Sequence, residues 1–588
     1  MMIDFLTSFS PAFVLIVAGI IAALTPVYQG RKVLMVGVPA LVLVLINTMY
    51  LKGGDHGVLG ALGGYFSVAG IELTTIRIDR LSIIWGNIFA FAGILNGIFG
   101  LHEKCKITDS SALIYTGAGI GAVFAGDLIT LFMFWELLAL SSVIIVWRGG
   151  KDSYPAGMRY LAMHILSGVL LLAGAVIYGR ATGSYAFDHI GIDAPGGKLI
   201  LLAFGIKAGF PLLHNWIQDS YPKSSVTGTV ILSVFTTKLA IYALARGFAG
   251  TEILIYIGGV MTVFPVFFAV LENDLRKVLS YSLNNQLGFM VAGIGIGSSL
   301  ALNGVAAHVV VDILFKGLLF MSMGAVLHRV GTVKASELGG LFRTMPLTTL
   351  FCLIGAGSIS AFPMMGGFIS KSMIIAAVFE EHHYVVFGML LFASAGVLEH
   401  SGIKVPYFAF FSHDSGKRPK EAPWNMLVAM GIAAFLCLYL AFPWGGAFMG
   451  YKGLYAMLPY AMEGEAAFHP YTADHVVFQM QLLMGAMFAF TLLKRFGLYP
   501  PERRAQILDF DWTYRRLGLS ILKWIDAMWT RLGAQTKYLL KLLFGRVGKR
   551  LYQVFSPAGT LSQDAPSGIA AVFTAGMLAA ILLGVYYF

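Results

Sequence analysis

Residues 308–316 read HVVVDILFK and lie inside the apolar run LNGVAAHVVVDILFKGLLFMSMGAVL of residues 302–327. On a helix His308, Asp312 and Lys316 recur every four residues, each turned about 40° from the last, so they form one polar stripe along an otherwise apolar rod. The run is long enough to cross ~30 Å of hydrocarbon. An ionisable side chain at that depth costs a few kcal/mol and generally faces a partner or a water-filled path. The stripe therefore marks a line along which charge passes or is held.

The rest of the chain fits the same solvent. Of its 588 residues 57% are hydrophobic and only 12% charged, and the mean hydropathy is +0.77, far from the composition of an ordinary soluble domain. Sixteen apolar segments of membrane-crossing length can be placed between residues 9 and 587, as continuous runs rather than the alternating pattern of a membrane barrel. The fold class expected is an all-α polytopic membrane protein of about 14–16 transmembrane helices, without strands. The N-terminal MMIDFLTSFS has no Lys or Arg ahead of its apolar run and is expected to remain as the first helix. Cys105, Cys352 and Cys437 stand far apart, with no CxxC pair for zinc or an iron-sulfur cluster, so no metal, cofactor or redox centre is expected in the chain itself.

Basic residues set the orientation. Arg31 and Lys32, Lys104 and Lys106, and Arg148, Lys151 and Arg159 place the odd-numbered loops on the cytoplasmic side. Between Lys494 and Arg550 thirteen Lys or Arg face four acids, Glu502, Asp509, Asp511 and Asp526, a net of +9 out of the chain's +11. Basic and apolar positions alternate there at helical spacing, which predicts an amphipathic helix lying on the cytoplasmic membrane surface against lipid headgroups. Nucleic acid is not an expected partner.

The other ionisable residues inside apolar segments are Glu136, Lys207, Lys238 and Lys371. Singly, Lys371 could snorkel to the interface, and His164, His328 and His400 read as packing residues. Together with the stripe they are too costly to be idle. Pro211 follows Lys207 by four residues, and Pro363, Gly366 and Gly367 precede Lys371, so both segments are expected to be broken helices whose freed carbonyls line a cavity. Interrupted segments in corresponding halves are the mark of inverted-repeat transporters. The domains expected are N-terminal helices 1–110, a first repeat 111–248, a second repeat 249–411, C-terminal helices 412–495, the basic surface segment 496–567 and a terminal helix 568–588.

Six blocks carry a resemblance. DLITLFMFWELLAL (127–140), KAGFPLLHNWIQDSYP (207–222), LSVFTTKLAIYAL (232–244), NDLRKVLSYSLNNQLGFM (273–290), HVVVDILFKGLLFMSMGAVL (308–327) and FPMMGGFISK (362–371) resemble, in this order, the antiporter-like proton-pumping subunits shared by respiratory complex I, Mrp-type sodium/proton antiporters and membrane-bound hydrogenases. The resemblance covers roughly residues 75–410. It implies two inverted five-helix repeats crossed at mid-membrane by a proton relay. Carried over by motif, the relay is Glu136 of the fifth helix, Lys207 of the broken seventh, Lys238 of the eighth, His308 and Lys316 of the eleventh and Lys371 of the broken twelfth, with Glu136 tuning Lys207. Lysine in TTKLAIY resembles the D-type antiporter subunit and the M- and N-type complex I subunits; the basic segment with its terminal helix is similar to the L-type.

Two departures stand out. Asp312 occupies a position where many relatives have a second histidine, either paired to Lys316 or suited to Na⁺. WIQDSYPKSSVTGTV lacks the family's prolines after its Tyr-Pro. Glu399 adds an acid as an exit group. The function expected is H⁺ translocation with Na⁺ exchange, in a multisubunit antiporter of the cell inner membrane whose partners are other membrane subunits. The alternatives are a proton-pumping subunit of a complex I-type enzyme or hydrogenase, driven by redox partners, and a scaffold that has lost transport.

Overall fold

The computed structural model describes residues 10–53, 65–68, 71–444, 446, 449–460, 468–502, 507–556, 558–559 and 567–587. Its helices in chain order are α1 (Pro11–Leu24), α2 (Tyr28–Gly53), α3 (Arg80–Phe99), α4 (Lys106–Phe124), α5 (Leu128–Trp147), α6 (Ser153–Thr182), α7 (Gly197–Ala208), α8 (Asn215–Ser220), α9 (Val226–Leu232), α10 (Phe235–Gly247), α11 (Ile253–Leu271), α12 (Leu275–Ile296), α13 (Ser299–Val330), α14 (Pro346–Ile359), α15 (Gly366–Glu380), α16 (Tyr384–Val397), α17 (Trp424–Tyr439), α18 (Gly450–Ala456), α19 (Ala473–Arg495), α20 (Leu519–Phe555) and α21 (Ser567–Tyr587). The chain is an all-α polytopic membrane protein. One hairpin departs from the expectation of no strands: β1 (Tyr65–Val68) pairs antiparallel with β2 (Ile71–Thr74) in the long loop before α3.

Among the described residues nine helices are long and apolar enough to cross a membrane alone, and four shorter apolar ones join them. The sixteen expected segments each coincide with a helix or an interrupted pair. Among the expected spans outside the nine, α4 and α12 carry many polar residues and those at 197–214 and 349–378 are interrupted, whereas 225–247 counts as one span, Val226–Gly247, despite the short break between α9 and α10. The chain divides into two compact units, Met1–Asp509 and Phe510–Phe588. The second contains α20, a continuous helix of 37 residues mixing Trp and Leu with Lys and Arg.

Helix ends are fixed by acids that satisfy the orphan amides of the first turn. Asp79 accepts from the Ser82 amide and Ser82 answers in a capping box, while Asp127 and Asp274 cap α5 and α12. Arg246 at the end of α10 reaches both Asp79 oxygens at 2.8 Å, joining the start of α3 to the end of α10. Arg31 and Lys32, expected in a loop, lie in the first turn of α2 and are buried against Asp109 of α4 at 3.3 and 2.7 Å. Helices α11 and α12 lie close together, where a Cβ added to Gly258, Gly288 or Gly295 would meet the facing helix within 2.3–2.6 Å. Small residues at such a seam let membrane helices approach closely.

Candidate functional site

Helix α13 runs through the centre of the first unit, and His308, Asp312 and Lys316 are each 0% exposed. Asp312 Oδ2 lies 2.7 Å from Lys238 Nζ, so the carboxylate of the stripe is ion-paired across to α10. This differs from the expected pairing with Lys316. Lys238 lies just beyond a third interruption, at Ser233 and Val234 between α9 and α10, that neither proline nor glycine announces. Lys238 Nζ also donates to the Ser233 carbonyl there at 3.0 Å. Lys316 Nζ donates instead to Leu279 O on α12 at 3.4 Å, while remaining within electrostatic reach of Asp312, Lys238 and Lys371.

Two breaks place the remaining lysines. At the first, α7 ends on Gly209 at φ 75°, Pro211 follows, and Leu212 is left-handed at φ 72° before α8 begins. At the second, Ala361 and Met364 are left-handed at φ 59° and 66°, flanking Pro363 between α14 and α15. Lys371 Nζ reaches back across this break to the Ile359 carbonyl at 2.7 Å, with the Phe289 ring 5.1 Å away. Its neighbour Ser370 meets His308 Nδ1 at 2.8 Å. Lys238, His308, Asp312, Lys316 and Lys371 therefore gather into one buried group.

Glu136 and Lys207 form a separate group. Lys207 Nζ donates to Trp135 O at 2.6 Å and lies 4.2 Å from the centre of that indole. Glu136 follows Trp135 in the chain, and its Oε1 has no hydrogen-bond partner. It is held in place by space: a Cβ on Gly168 would stand 1.6 Å from that oxygen. His164, expected as a packing residue, is fully buried between Tyr160 and Trp216 at 4.0 and 4.6 Å. Both its ring nitrogens lack partners, and it stands within electrostatic reach of Lys207.

Glu399 belongs to neither group. Beyond α16 the backbone widens into a π-helix, Leu398–Lys404, shortly before Pro406. There Glu399 is joined by Lys404 and by Glu502 from the segment after α19. Nearby, Asp509 accepts from Tyr281 at 2.8 Å and meets His214 Nε2 at 3.2 Å, which fastens the same segment to the residue that opens α8. Lys404, Glu502, His214 and Asp509 are the residues that sequence reasoning missed. A lysine in the apolar context GIKVPYFAFF was the available signal for Lys404 alone.

The family described as "NADH:quinone oxidoreductase/Mrp antiporter, TM" matches residues 125–397. The chain is 26% identical over 433 residues to the D-type subunit of the Na(+)/H(+) antiporter of Bacillus subtilis, covering 68% of this chain and 85% of that one. It is 27% identical over 372 residues to the A/B-type subunit of a probable K(+)/H(+) antiporter of Rhizobium meliloti, covering 59% of this chain and 37% of the other. In fold it is similar to a chain of the membrane-bound sulfane sulfur reductase, an archaeal respiratory membrane complex, with a TM-score of 0.69, 22% identity, and coverage of 98% of this chain and 99% of that one.

Proposed function

The chain belongs to the family of antiporter-like membrane subunits shared by Mrp antiporters, complex I-type oxidoreductases and hydrogenases, and from that premise we propose that it moves H⁺ through the membrane as part of a multisubunit cation/proton antiporter. The observation that carries this is the buried group around Asp312. Three lysines and a histidine, each 0–1% exposed, surround one carboxylate already engaged by Lys238. Burial disfavours charge, and neighbouring charge decides which ammonium keeps its proton. A proton arriving at one member thus changes the ease of loading the next, which is the property a relay needs.

Glu136 and Lys207 would form the first station, Lys238, Asp312, His308 and Lys316 the middle, and Lys371 the far one. The exchanged cation is taken to be Na⁺, and the location the inner cell membrane with the basic loops in the cytoplasm and the basic surface segment on lipid headgroups. A second reading, redox-driven pumping, is favoured by the match along 98% of this chain to a chain of a respiratory complex.

The test uses inverted vesicles from cells expressing the whole complex, with a pH-sensitive dye. Lys207→Ala should reduce proton movement roughly 100-fold or more, the scale of a positioned proton carrier, at unchanged protein level. Wild-type rates in both Lys207→Ala and Glu136→Ala would overturn the relay. Starting the reaction with Na⁺, K⁺ or an electron donor separates the two readings.

A further inference from the structure

Lys404 is fully buried, yet its ammonium is crowded with oxygen. It donates to the Val270 and Glu272 carbonyls at 2.6 and 2.7 Å, and Glu502 Oε2 stands 3.5 Å away. The carbonyl contacts alone would make Lys404 a cap for the end of α11. That role accounts for neither of the two carboxylates nor for His400. Glu399 Oε1, Glu502 Oε1 and His400 Nε2 are buried and have no hydrogen-bond partner in the protein. An unsatisfied buried polar atom costs about 1–3 kcal/mol, so three in one locality mark a place built for water. Inward, His400 Nδ1 meets Ser401 Oγ at 2.8 Å, Ser401 donates to Ser282 of α12 at 2.7 Å, and the imidazole is within electrostatic reach of Lys316, Lys404 and Lys371. π-Helical turns recur at functional sites in membrane and soluble proteins alike.

We propose that Glu502, Glu399 and His400, arranged around Lys404, form a proton branch that joins the face bearing the basic loops to Lys371 and Lys316, with Glu502 as its outermost carrier. The inference rests on the relay reading above and extends it to a residue from outside the two repeats. Glu502 takes a proton from bulk water. The proton passes through water to Glu399, then to His400 Nε2, and the imidazolium gives it to the unprotonated amine of Lys371 or Lys316; one proton enters and one lysine is charged. The groups facing Glu502 are Lys404, Lys494, Glu399, Tyr499 and Glu272, and Tyr499 also stands against Glu399. Burial holds the Glu502 carboxyl above the ordinary carboxylate range against the opposing pull of Lys404, which favours proton uptake.

The experiment measures proton movement against pH in the same vesicles of the whole complex. Glu502→Gln and Glu399→Gln should each slow transport roughly tenfold or more, as expected for loss of a positioned proton carrier. Glu502→Asp, which keeps a carboxylate, should recover much of the rate with a displaced pH profile, a change that a merely structural clamp would not produce. Wild-type rates and pH profiles in Glu502→Gln and Glu399→Gln, with Lys207→Ala silent, would overturn the branch and leave the relay standing. Wild-type rates in Lys207→Ala and Glu136→Ala would overturn both. Should Glu502→Gln fail to accumulate, Glu399→Gln decides, because it leaves the Lys404–Glu502 contact in place.

Discussion

Aligned on their Phe-Pro pairs, Phe210-Pro211 and Phe362-Pro363, the two helix breaks show what is repeated in this chain and what is not. In each the residue after proline is left-handed, Leu212 at φ 72° and Met364 at φ 66°, the turn that proline followed by a positive φ produces. Lys207 stands four residues before its proline. The equivalent position in the second break is Ile359, and it is to the Ile359 carbonyl that Lys371 returns its ammonium. Both ammonium groups therefore end on one carbonyl and one aromatic ring, Trp135 in the first case and Ile359 with Phe289 in the second. The acids differ. Lys207 has Glu136 in electrostatic reach, whereas Lys371 shares Asp312 with Lys238 and Lys316. Lys207 has one carboxylate to itself, whereas around Asp312 the charge on any one of three ammonium groups opposes charge on the others.

The strongest way to break this contrast is to remove the shared acid. Asp312→Asn leaves Lys238 without the carboxylate 2.7 Å away, both side chains being fully buried. Removing one partner of such a pair costs about 3–5 kcal/mol. The purified complex should melt at a clearly lower temperature, and transport should be lost. Glu136→Gln abolishes transport as well, but with an unpartnered Oε1 it should leave the melting temperature almost unchanged. Equal thermal stability in the two variants would mean that Asp312 is not the only charge compensating Lys238.

A smaller effect tests whether the private acid of the first half depends on its position. Gly168→Ala introduces a methyl that would fall 1.6 Å from Glu136 Oε1, so the carboxylate must turn away while every titratable group is kept. Misplacing a reacting group by about 1 Å costs up to roughly 100-fold, and a drop of that order or less in vesicle transport is expected. On a Glu136→Ala background the same substitution should add nothing, since residues in contact are not additive. A full additive loss would place the effect of Gly168 in helix packing instead.

Much of this was legible because the membrane imposes simple rules. The apolar segments declared the helices, and Phe-Pro followed by glycines declared the second break. His308, Asp312 and Lys316 are all buried, on a helix whose residues 301–326 are buried on every side. The partner of Asp312 was not legible, because spacing places residues on one helix face but does not say which neighbouring helix that face meets. Glu502 and Asp509 were hidden for a different reason. In sequence they are two acids in a strongly basic segment, where solvated charge is the ordinary outcome. Only the return of that segment against α11, α12 and the first break gives them Lys404, His214 and Tyr281 as neighbours.

The smallest expected effect bears on whether the two breaks are equivalent as backbone. A non-glycine residue in the left-handed region costs about 1–2 kcal/mol, and Leu212 and Met364 are 56% and 44% exposed, so neither side chain is needed for a core. Glycine relieves the strain at either position but restores about 0.5–1 kcal/mol of chain freedom to the unfolded state. Leu212→Gly and Met364→Gly should therefore each raise the melting temperature of the complex slightly, and by similar amounts. A rise at one break and a fall at the other would show that the shared Phe-Pro turn holds one lysine under strain and the other at rest. Transport measured in the same pair carries the comparison to function. Lys371 is bonded to the carbonyl of its own break, whereas Lys207 is bonded to a carbonyl of α5, so loosening the turn should slow transport more in Met364→Gly than in Leu212→Gly.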